Sequence, residues 1–254
     1  MGGMSSITTP QTAVHAITTD PTLPAGTDER VSGFGIMGLP FDSGHYLAYR
    51  DFPAASFSPA YRSVWHRAPD GQWTFYASTP AEQSCARYFS SATTRPAVQC
   101  HITTSWTDPW SLTIAIPGVL RWTVGMADTV ATRAASRAGR ALPEWAWASP
   151  PVLAAMGRVA GPLLGTGEMR LTGSAPNGQG FRVAPRQIWV VREARAVLDG
   201  TDLGRLAPLA RQARLADFRL PQRGLCVIGT ARFDSFDLRR HQPAGHTVTT
   251  SPRC

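Results

Sequence analysis

Short segments in which apolar and polar residues alternate recur along most of the chain, and turn-forming residues separate them. The clearest example is YRSVWHRAPDGQWTFY at residues 61–76, where two aromatic-rich segments flank a Pro-Asp-Gly loop. Such a loop suits a type I turn with glycine in the left-handed conformation. We therefore predict a β-hairpin that closes with Ala68 opposite Gln72. The strand pairs are then Arg67–Trp73, His66–Thr74, Trp65–Phe75 and Val64–Tyr76.

This register sorts the side chains of the hairpin onto two faces, because successive residues of a strand point to opposite sides. One face carries Trp65, Trp73 and Phe75, and we expect it to pack, since burial of apolar area contributes roughly 25 cal/mol per Å². The other face carries Val64, His66, Thr74 and Tyr76. This mixed face suits either solvent or the lining of a cavity, and a shift of register by one residue exchanges the two faces.

The same pattern predicts strands and turns elsewhere in the chain. In the segment 45–50, His45, Leu47 and Tyr49 share one face. Asn177-Gly178 and Asp199-Gly200 predict two more hairpin turns. The other predicted strands are residues 99–104, 110–116, 120–124, 187–192 and 225–233.

The periodicity changes in the middle of the chain, where 128–142 and 150–164 predict two alanine-rich helices. A further short helix is predicted at 206–215. Residues 1–30 are expected to be a disordered tail because they are rich in Thr and Pro, and residues 239–254 because they show no periodicity. Between the tails, the pattern divides the chain into a first β-rich half (31–125), a helical connection (126–165) and a second β-rich half (166–238).

Many short strands, with turns at roughly ten-residue spacing, favour a mainly β fold. We expect an antiparallel barrel or two packed half-barrels with a short helical insertion. Three stretches carry a family resemblance: SVWHRAPDGQWTFY at 63–76, LRWTVGMADTVATR at 120–133 and PNGQGFRVAPRQIW at 176–189. They resemble the calycin superfamily, and within it the two-barrel lipocalin-like proteins of the hydroxyneurosporene-synthase and AttH type. The resemblance implies a barrel cavity that holds an apolar ligand.

Two functional hypotheses follow. Because the resembling group includes cofactor-free enzymes acting on isoprenoids or polyketides, the first is a cofactor-independent isomerase, cyclase or hydratase with an apolar substrate. The second is a non-catalytic carrier of an apolar ligand, and a weaker third is an interaction domain with an aromatic surface. The chain has no C-x-x-C, G-x-S-x-G or H-E-x-x-H motif, so we expect no metal, nucleotide or nicotinamide cofactor.

The amino-acid composition limits the kinds of binding partner that we expect for this protein. The formal charge is +8, and all 25 basic residues of the Lys/Arg class are arginine. The arginines are scattered, which favours the codon bias of a GC-rich genome over a nucleic-acid surface. We therefore expect no nucleic-acid partner. The lack of a secretory signal predicts a cytoplasmic protein with reduced cysteines, and the lack of a long apolar segment predicts no membrane span. Whether Cys85 and Cys100 form a disulfide stays open. The oligomeric state stays open as well.

The candidate catalytic residues are His66, Tyr76 and His45, because histidine titrates near neutral pH and tyrosine can donate a hydrogen bond. If the two strands pair, both histidines can face one lumen. Each of these residues can equally be a structural part of a sheet, and Arg87 can equally lie at the surface. The candidate ligand-binding residues are Tyr49, Thr74, Arg87 and Trp106.

Overall fold

The computed structural model of the protein describes residues 8–249 and is mainly β. Its strands are β1 (Glu29–Pro40), β2 (Tyr46–Ala55), β3 (Tyr61–Arg67), β4 (Trp73–Ala77), β5 (Ala97–Gln99), β6 (Thr103–Asp108), β7 (Ser111–Ile116), β8 (Leu120–Ala127), β9 (Thr172–Ser174), β10 (Gly180–Leu198), β11 (Thr201–Asp202), β12 (Arg214–Leu215), β13 (Phe218–Arg219), β14 (Leu225–Phe233) and β15 (Thr247–Thr249). The α-helices are α1 (Pro10–Thr19), α2 (Ala86–Phe89), α3 (Val130–Ala141), α4 (Glu144–Ala148) and α5 (Pro150–Leu164).

Thirteen of these strands form one sheet, with the order β15-β5-β4-β3-β2-β1-β14-β10-β8-β7-β6. The short strands β9 and β11 pair with the long strand β10, and β12 and β13 form a separate two-stranded ribbon. Strand β14 is central, because it pairs antiparallel with β1 on one side and with β10 on the other. Strands from both predicted β-rich halves therefore belong to the same sheet, and the division into halves stays a prediction.

The sheet curls into a half-barrel around one apolar cluster, which we call the inner core. It joins side chains from opposite parts of the strand order, such as Tyr49 of β2 and Val64 of β3 with Ile114 of β7 and Trp122 of β8. A flat sheet would hold these strands too far apart to share a cluster. The predicted mainly β, half-barrel fold with a helical insertion is thus confirmed.

A second cluster, the outer core, lies on the other face of the same strands. It contains Tyr46 and Ala48 of β2, Tyr61 and Trp65 of β3, and Tyr88 of α2. Residues of β2 and β3 alternate between the two clusters, so both strands are buried on both faces over most of their length.

The hairpin register predicted from the Pro-Asp-Gly loop is confirmed. Its four strand pairs occur as expected, and the Ala68 amide donates to the Gln72 carbonyl at 2.8 Å. The predicted turns after Asn177 and Asp199 are also present, as are the strand Leu225–Phe233 and both long helices. We also expect the tryptophans at 65, 73, 106, 122 and 189 to be buried: Trp65, Trp73, Trp122 and Trp189 lie in the two cores, while Trp106 is half-buried at the edge of the inner core.

Three local predictions were wrong. The predicted helix at 206–215 does not form: the Ala207 amide bonds to the Pro40 carbonyl, Leu206 bridges to Phe41, and Arg214–Leu215 form β12. The predicted strand at 99–104 is interrupted between β5 and β6, which lie near opposite ends of the strand order.

The third is the disordered tail predicted for residues 1–30, since Pro10–Thr19 form α1. Thr9 caps the helix, and Ala13 and Val14 are buried in the inner core. At the other end, β15 lies within the predicted tail 239–254 and pairs in parallel with β5. The remaining tail residues, 1–7 and 250–254, lie outside the described residues.

No helix within residues 8–249 is both long and apolar enough to cross a bilayer. The three described cysteines are free, and Cys85 belongs to the outer core whereas Cys100 packs against the inner core. The sheet therefore separates the two residues whose pairing was left open.

Trp122 tests the role of the inner core, because its side chain is fully buried there. We expect Trp122→Ala to lower the free energy of unfolding by about 3–5 kcal/mol, since the lost contacts leave a cavity. Chemical denaturation followed by circular dichroism measures this change. The control is Trp145→Ala on the exposed side of α4, which is expected to change stability by no more than about 0.5 kcal/mol. Equal effects of the two substitutions would contradict this assignment of the core.

Candidate small-molecule site

A large apolar cavity of about 500 Å³ lies on the outer face of the sheet. Its floor is formed by β1, β2, β3, β10 and β14, and helices α3 and α5 cover it. We call it the helix-covered cavity and define it by Gly35, Arg50, Trp65, Val227, Ala138 and Met156. Its walls are predominantly apolar, which is typical of sites that bind small organic molecules.

Glycines on two central strands allow close packing at the floor of this cavity. Gly33 and Gly35 of β1 and Gly229 of β14 all line the floor. A Cβ at Gly35 would lie 2.9 Å from Cδ and 3.0 Å from Nη1 of Arg50. At Gly229 it would lie 2.3 Å from the Ala184 carbonyl oxygen. The sequence GFG in β1 therefore lets the neighbouring strand and the Arg50 side chain lie close against the sheet.

Arg50 is the most unusual residue of the site, because a charged guanidinium lies among aromatic and apolar side chains. It follows Tyr49 on β2 and points to the opposite face, directly across from Gly35. Only 6% of the residue is exposed. The guanidinium carbon lies 4.8 Å from the centre of the Trp65 ring, within the range of a cation–π contact.

Arg50 has few polar partners. Its Nη1 donates to the Tyr49 carbonyl at 2.8 Å and, more weakly, to the Ile36 carbonyl at 3.5 Å. Its Nη2 has no hydrogen-bond partner among the described residues. None of the ion pairs within residues 8–249 includes Arg50. Burial lowers the pKa of this guanidinium, but arginine keeps its charge at neutral pH, so an unbalanced positive charge lies in the cavity wall.

Tyr61 and Cys85 are the polar neighbours of Arg50 on the same wall. The Tyr61 hydroxyl lies 3.5 Å from the Cys85 sulfur. Burial raises the pKa of the tyrosine and of the thiol, so both are neutral at pH 7. A thiol is a far weaker nucleophile than a thiolate. The neutral, buried Cys85 thiol is therefore poorly suited to act as a nucleophile.

The rim of the cavity differs from its floor. Arg170 and Arg219 both reach the lining, but Arg170 pairs with Glu168 and Asp217, and Arg219 pairs with Glu168. Val159 and Leu163 of α5 also line the cavity and remain largely exposed to solvent. The mouth is thus apolar, and its charges are balanced.

The two histidines predicted as catalytic are brought together, as expected if their strands pair. His45 Nδ1 and His66 Nε2 are 2.8 Å apart, so one ring donates a hydrogen bond to the other. Burial, followed by the neighbouring His45 and Arg95, lowers the pKa of His66 to about 4, and burial also lowers the pKa of His45. Both rings are therefore neutral at pH 7.

This histidine pair lies on the face of β3 opposite to Trp65, and neither ring lines the helix-covered cavity. Thr74 lies across from His66, and Tyr76 shares their face of the hairpin at the edge of the inner core. Burial raises the pKa of Tyr76 to about 12. The catalytic assignment of His66, Tyr76 and His45 stays a prediction about the inner face of the sheet.

Of the other candidate ligand-binding residues, Tyr49 is buried in the inner core and donates to Asp51 at 3.0 Å, and Trp106 packs against the same core. Arg87 is held by Glu29 through two contacts, at 2.7 and 3.0 Å. Neither Arg87 nor these aromatic residues line the helix-covered cavity.

Glu29 anchors the far end of the outer core. Burial acts to raise its pKa, but hydrogen bonds from Arg87, Tyr88 and Gln179 outweigh burial and hold the pKa below its usual value. The ring of Tyr88 stacks on Phe233 with centroids 3.6 Å apart, and both rings line the cavity. Arg87 therefore supports the cavity wall indirectly by fixing this carboxylate.

Sequence reasoning missed Arg50, Tyr61 and Trp65 as members of one site. The available signal was a lone arginine within an aromatic strand, HYLAYRDF, whose alternation places it opposite to Leu47 and Tyr49. The packing face of the hairpin also lines the cavity through Trp65, whereas the sequence suggested a cavity lining, or solvent, only for the mixed face.

The fold and this cavity define a class: mainly β proteins with a curled half-barrel sheet and a helix-covered apolar cavity. No protein-family model matches the chain, and the search of curated proteins found no relative. Among solved structures, the chain is similar to the acetoacetate decarboxylase of Legionella pneumophila subsp. pneumophila, with a TM-score of 0.39 and 10% identity over 85% of this chain and 87% of that one. These values are too low to assign a family or an activity. The resemblance to two-barrel lipocalin-like proteins stays a hypothesis.

The buried histidine pair makes stability depend on pH. The pKa of His66 is lower in the folded state than the usual 6.5, so the unfolded chain takes up a proton first as the pH falls. The contribution of neutral His66 to the free energy of unfolding is fully present above pH 6.5. We expect the free energy of unfolding to fall by on the order of 3 kcal/mol as the pH falls towards 4.

Chemical denaturation of the wild type and of His66→Gln between pH 7.5 and about 4 measures this effect. The variant should show a flatter dependence, because its side chain does not titrate. The matched control is His15→Gln, which removes an exposed imidazole of α1 and should keep the wild-type slope. If His66→Gln keeps that slope, the predicted linkage is wrong.

Proposed function

We propose that this protein binds an apolar small molecule in the helix-covered cavity. The observation that carries this proposal is the cavity itself, whose volume of about 500 Å³ and apolar lining suit a small organic ligand. Of the hypotheses drawn from the sequence, the carrier of an apolar ligand needs only this cavity. Isoprenoids and polyketides are ligand classes of the right chemistry.

A second candidate is the cofactor-independent isomerase, cyclase or hydratase, and Arg50 favours it. A fixed positive charge in an apolar site stabilises negative charge that develops on a substrate oxygen, and the cavity walls can fix the conformation of the substrate. The lining contains no histidine, aspartate or glutamate that could serve as a general acid or base. General acid–base catalysis by His45, His66 and Tyr76 would require a substrate on the inner face of the sheet.

Val227 of β14 offers a test of binding, because it lines the cavity beside Gly35. We expect the neutral fluorescent probe N-phenyl-1-naphthylamine to bind the wild type. Val227→Phe should weaken its binding about tenfold or more, which corresponds to about 1.4 kcal/mol, because the ring occupies ligand space. Fluorescence titration measures both affinities.

The matched control is Val197→Phe, which makes the same change at a half-exposed position of β10 outside the cavity lining. It should bind the probe as the wild type does. The proposal fails if the wild type does not bind the probe, or if both variants bind it with wild-type affinity.

Native mass spectrometry of freshly purified protein separates the carrier from the enzyme once a co-purifying ligand is found. Recovery of that ligand unchanged after prolonged incubation supports the carrier. Conversion by the wild type, with a rate that falls in Arg50→Met even at ligand concentrations that saturate the variant, supports the enzyme.

A further inference from the structure

We infer that the ligand of the helix-covered cavity is an apolar molecule with one carboxylate, and that Arg50 binds this carboxylate at the cavity floor. This inference rests on the proposed function and specifies the class of its ligand. It starts from the lone guanidinium in the wall, because the protein itself supplies no acidic partner for it among the described residues.

The first step concerns the cost of burying a charge. A buried ion without a partner is strongly destabilising, so folded proteins almost always pair such a group or supply it with hydrogen bonds on every side. Arg50 is buried, yet its only hydrogen-bond partners among the described residues are two backbone carbonyls, and its buried Nη2 has none. No acidic group among residues 8–249 supplies the missing negative charge, and the cavity adjoins this side chain, so a bound ligand can supply it.

The second step concerns the charge and shape of the ligand. Arg170 and Arg219 at the rim already have carboxylate partners, so Arg50 is the cavity arginine without one. One unbalanced positive charge matches a monoanion. A guanidinium presents two parallel donors in the geometry of a planar carboxylate, whereas a phosphate dianion calls for additional donors.

The third step concerns orientation. The guanidinium lies against Trp65 on the floor, whereas the mouth near α5 is lined by exposed Val159 and Leu163. A ligand with its carboxylate at Arg50 therefore extends its apolar part past the apolar walls towards the mouth. Tyr61, next to Arg50 in the lining, can donate a second hydrogen bond to the same carboxylate.

Displacement of bound N-phenyl-1-naphthylamine at pH 8 tests the inference with three probes of equal chain length: dodecanoate, methyl dodecanoate and dodecyl phosphate. We expect the wild type to bind dodecanoate more tightly than the ester by about 10- to 100-fold. Dodecyl phosphate should bind no more tightly than dodecanoate.

In Arg50→Met, the preference for the acid should disappear while affinity for the ester is kept. Arg50→Gln is a second variant that removes the charge but keeps a donor for the Tyr49 carbonyl, so that a folding defect of one variant does not block the test. The control is Arg121→Met, which removes an exposed arginine of β8 outside the cavity and should keep the preference.

The melting temperature without ligand provides an independent readout. If Arg50 is retained to bind an anion, removing its unpaired charge should raise the melting temperature or leave it unchanged. A purely structural arginine would lower it on replacement.

The outcomes separate this inference from the proposed function. Equal binding of acid and ester by the wild type overturns the carboxylate while keeping the apolar-ligand site, and so does an unchanged preference in the folded Arg50 variants. Tighter binding of dodecyl phosphate assigns a different anion and also overturns it. Absence of binding by all three probes and by the fluorescent reporter refutes the proposed function itself.

Discussion

Neighbouring residues of β2 and β3 enter different hydrophobic cores, and the rest of the structure depends on this constraint. Tyr49 and Val64 complete the inner core, whereas Tyr46 and Trp65 belong to the outer one. Such strands gain burial on two faces, but they cannot shift register, because a slip by one residue would send every side chain into the wrong core. The curled sheet is thus both the wall of one core and the floor of the cavity.

The cavity exists because the outer face is only partly filled. Glycines of β1 leave room for the Arg50 side chain, and the helices α3 and α5 cover the space above the floor, with α3 packed against β10 at one side. Removing volume and placing a charge in the same location opposes stability twice, through lost contacts and through desolvation. Without a ligand, this arrangement would only lower the stability of the fold. The unpaired guanidinium of Arg50 is therefore more informative about function than the volume of the cavity.

The parts that were predictable from sequence are those governed by local rules. The Pro-Asp-Gly loop specified the register of the first hairpin, and strand alternation correctly sorted Trp65 from His66. Alternation could not show that both faces are buried, so only the mixed face was considered as a possible cavity lining, and Arg50 was overlooked. The helix predicted at 206–215 failed for a related reason, since pairing with residues near Phe41 overrode a local preference.

The central place of β14 has a consequence for how the chain reaches its native state. Its partner β1 lies about two hundred residues earlier, so one edge of β1 stays unpaired during synthesis until residues near 233 have emerged. Pairings of such long range make folding slow, on a scale of roughly milliseconds to seconds, and leave an open strand edge that can join other chains. The open edge of β1 is therefore a site where incomplete chains can associate until β14 covers it.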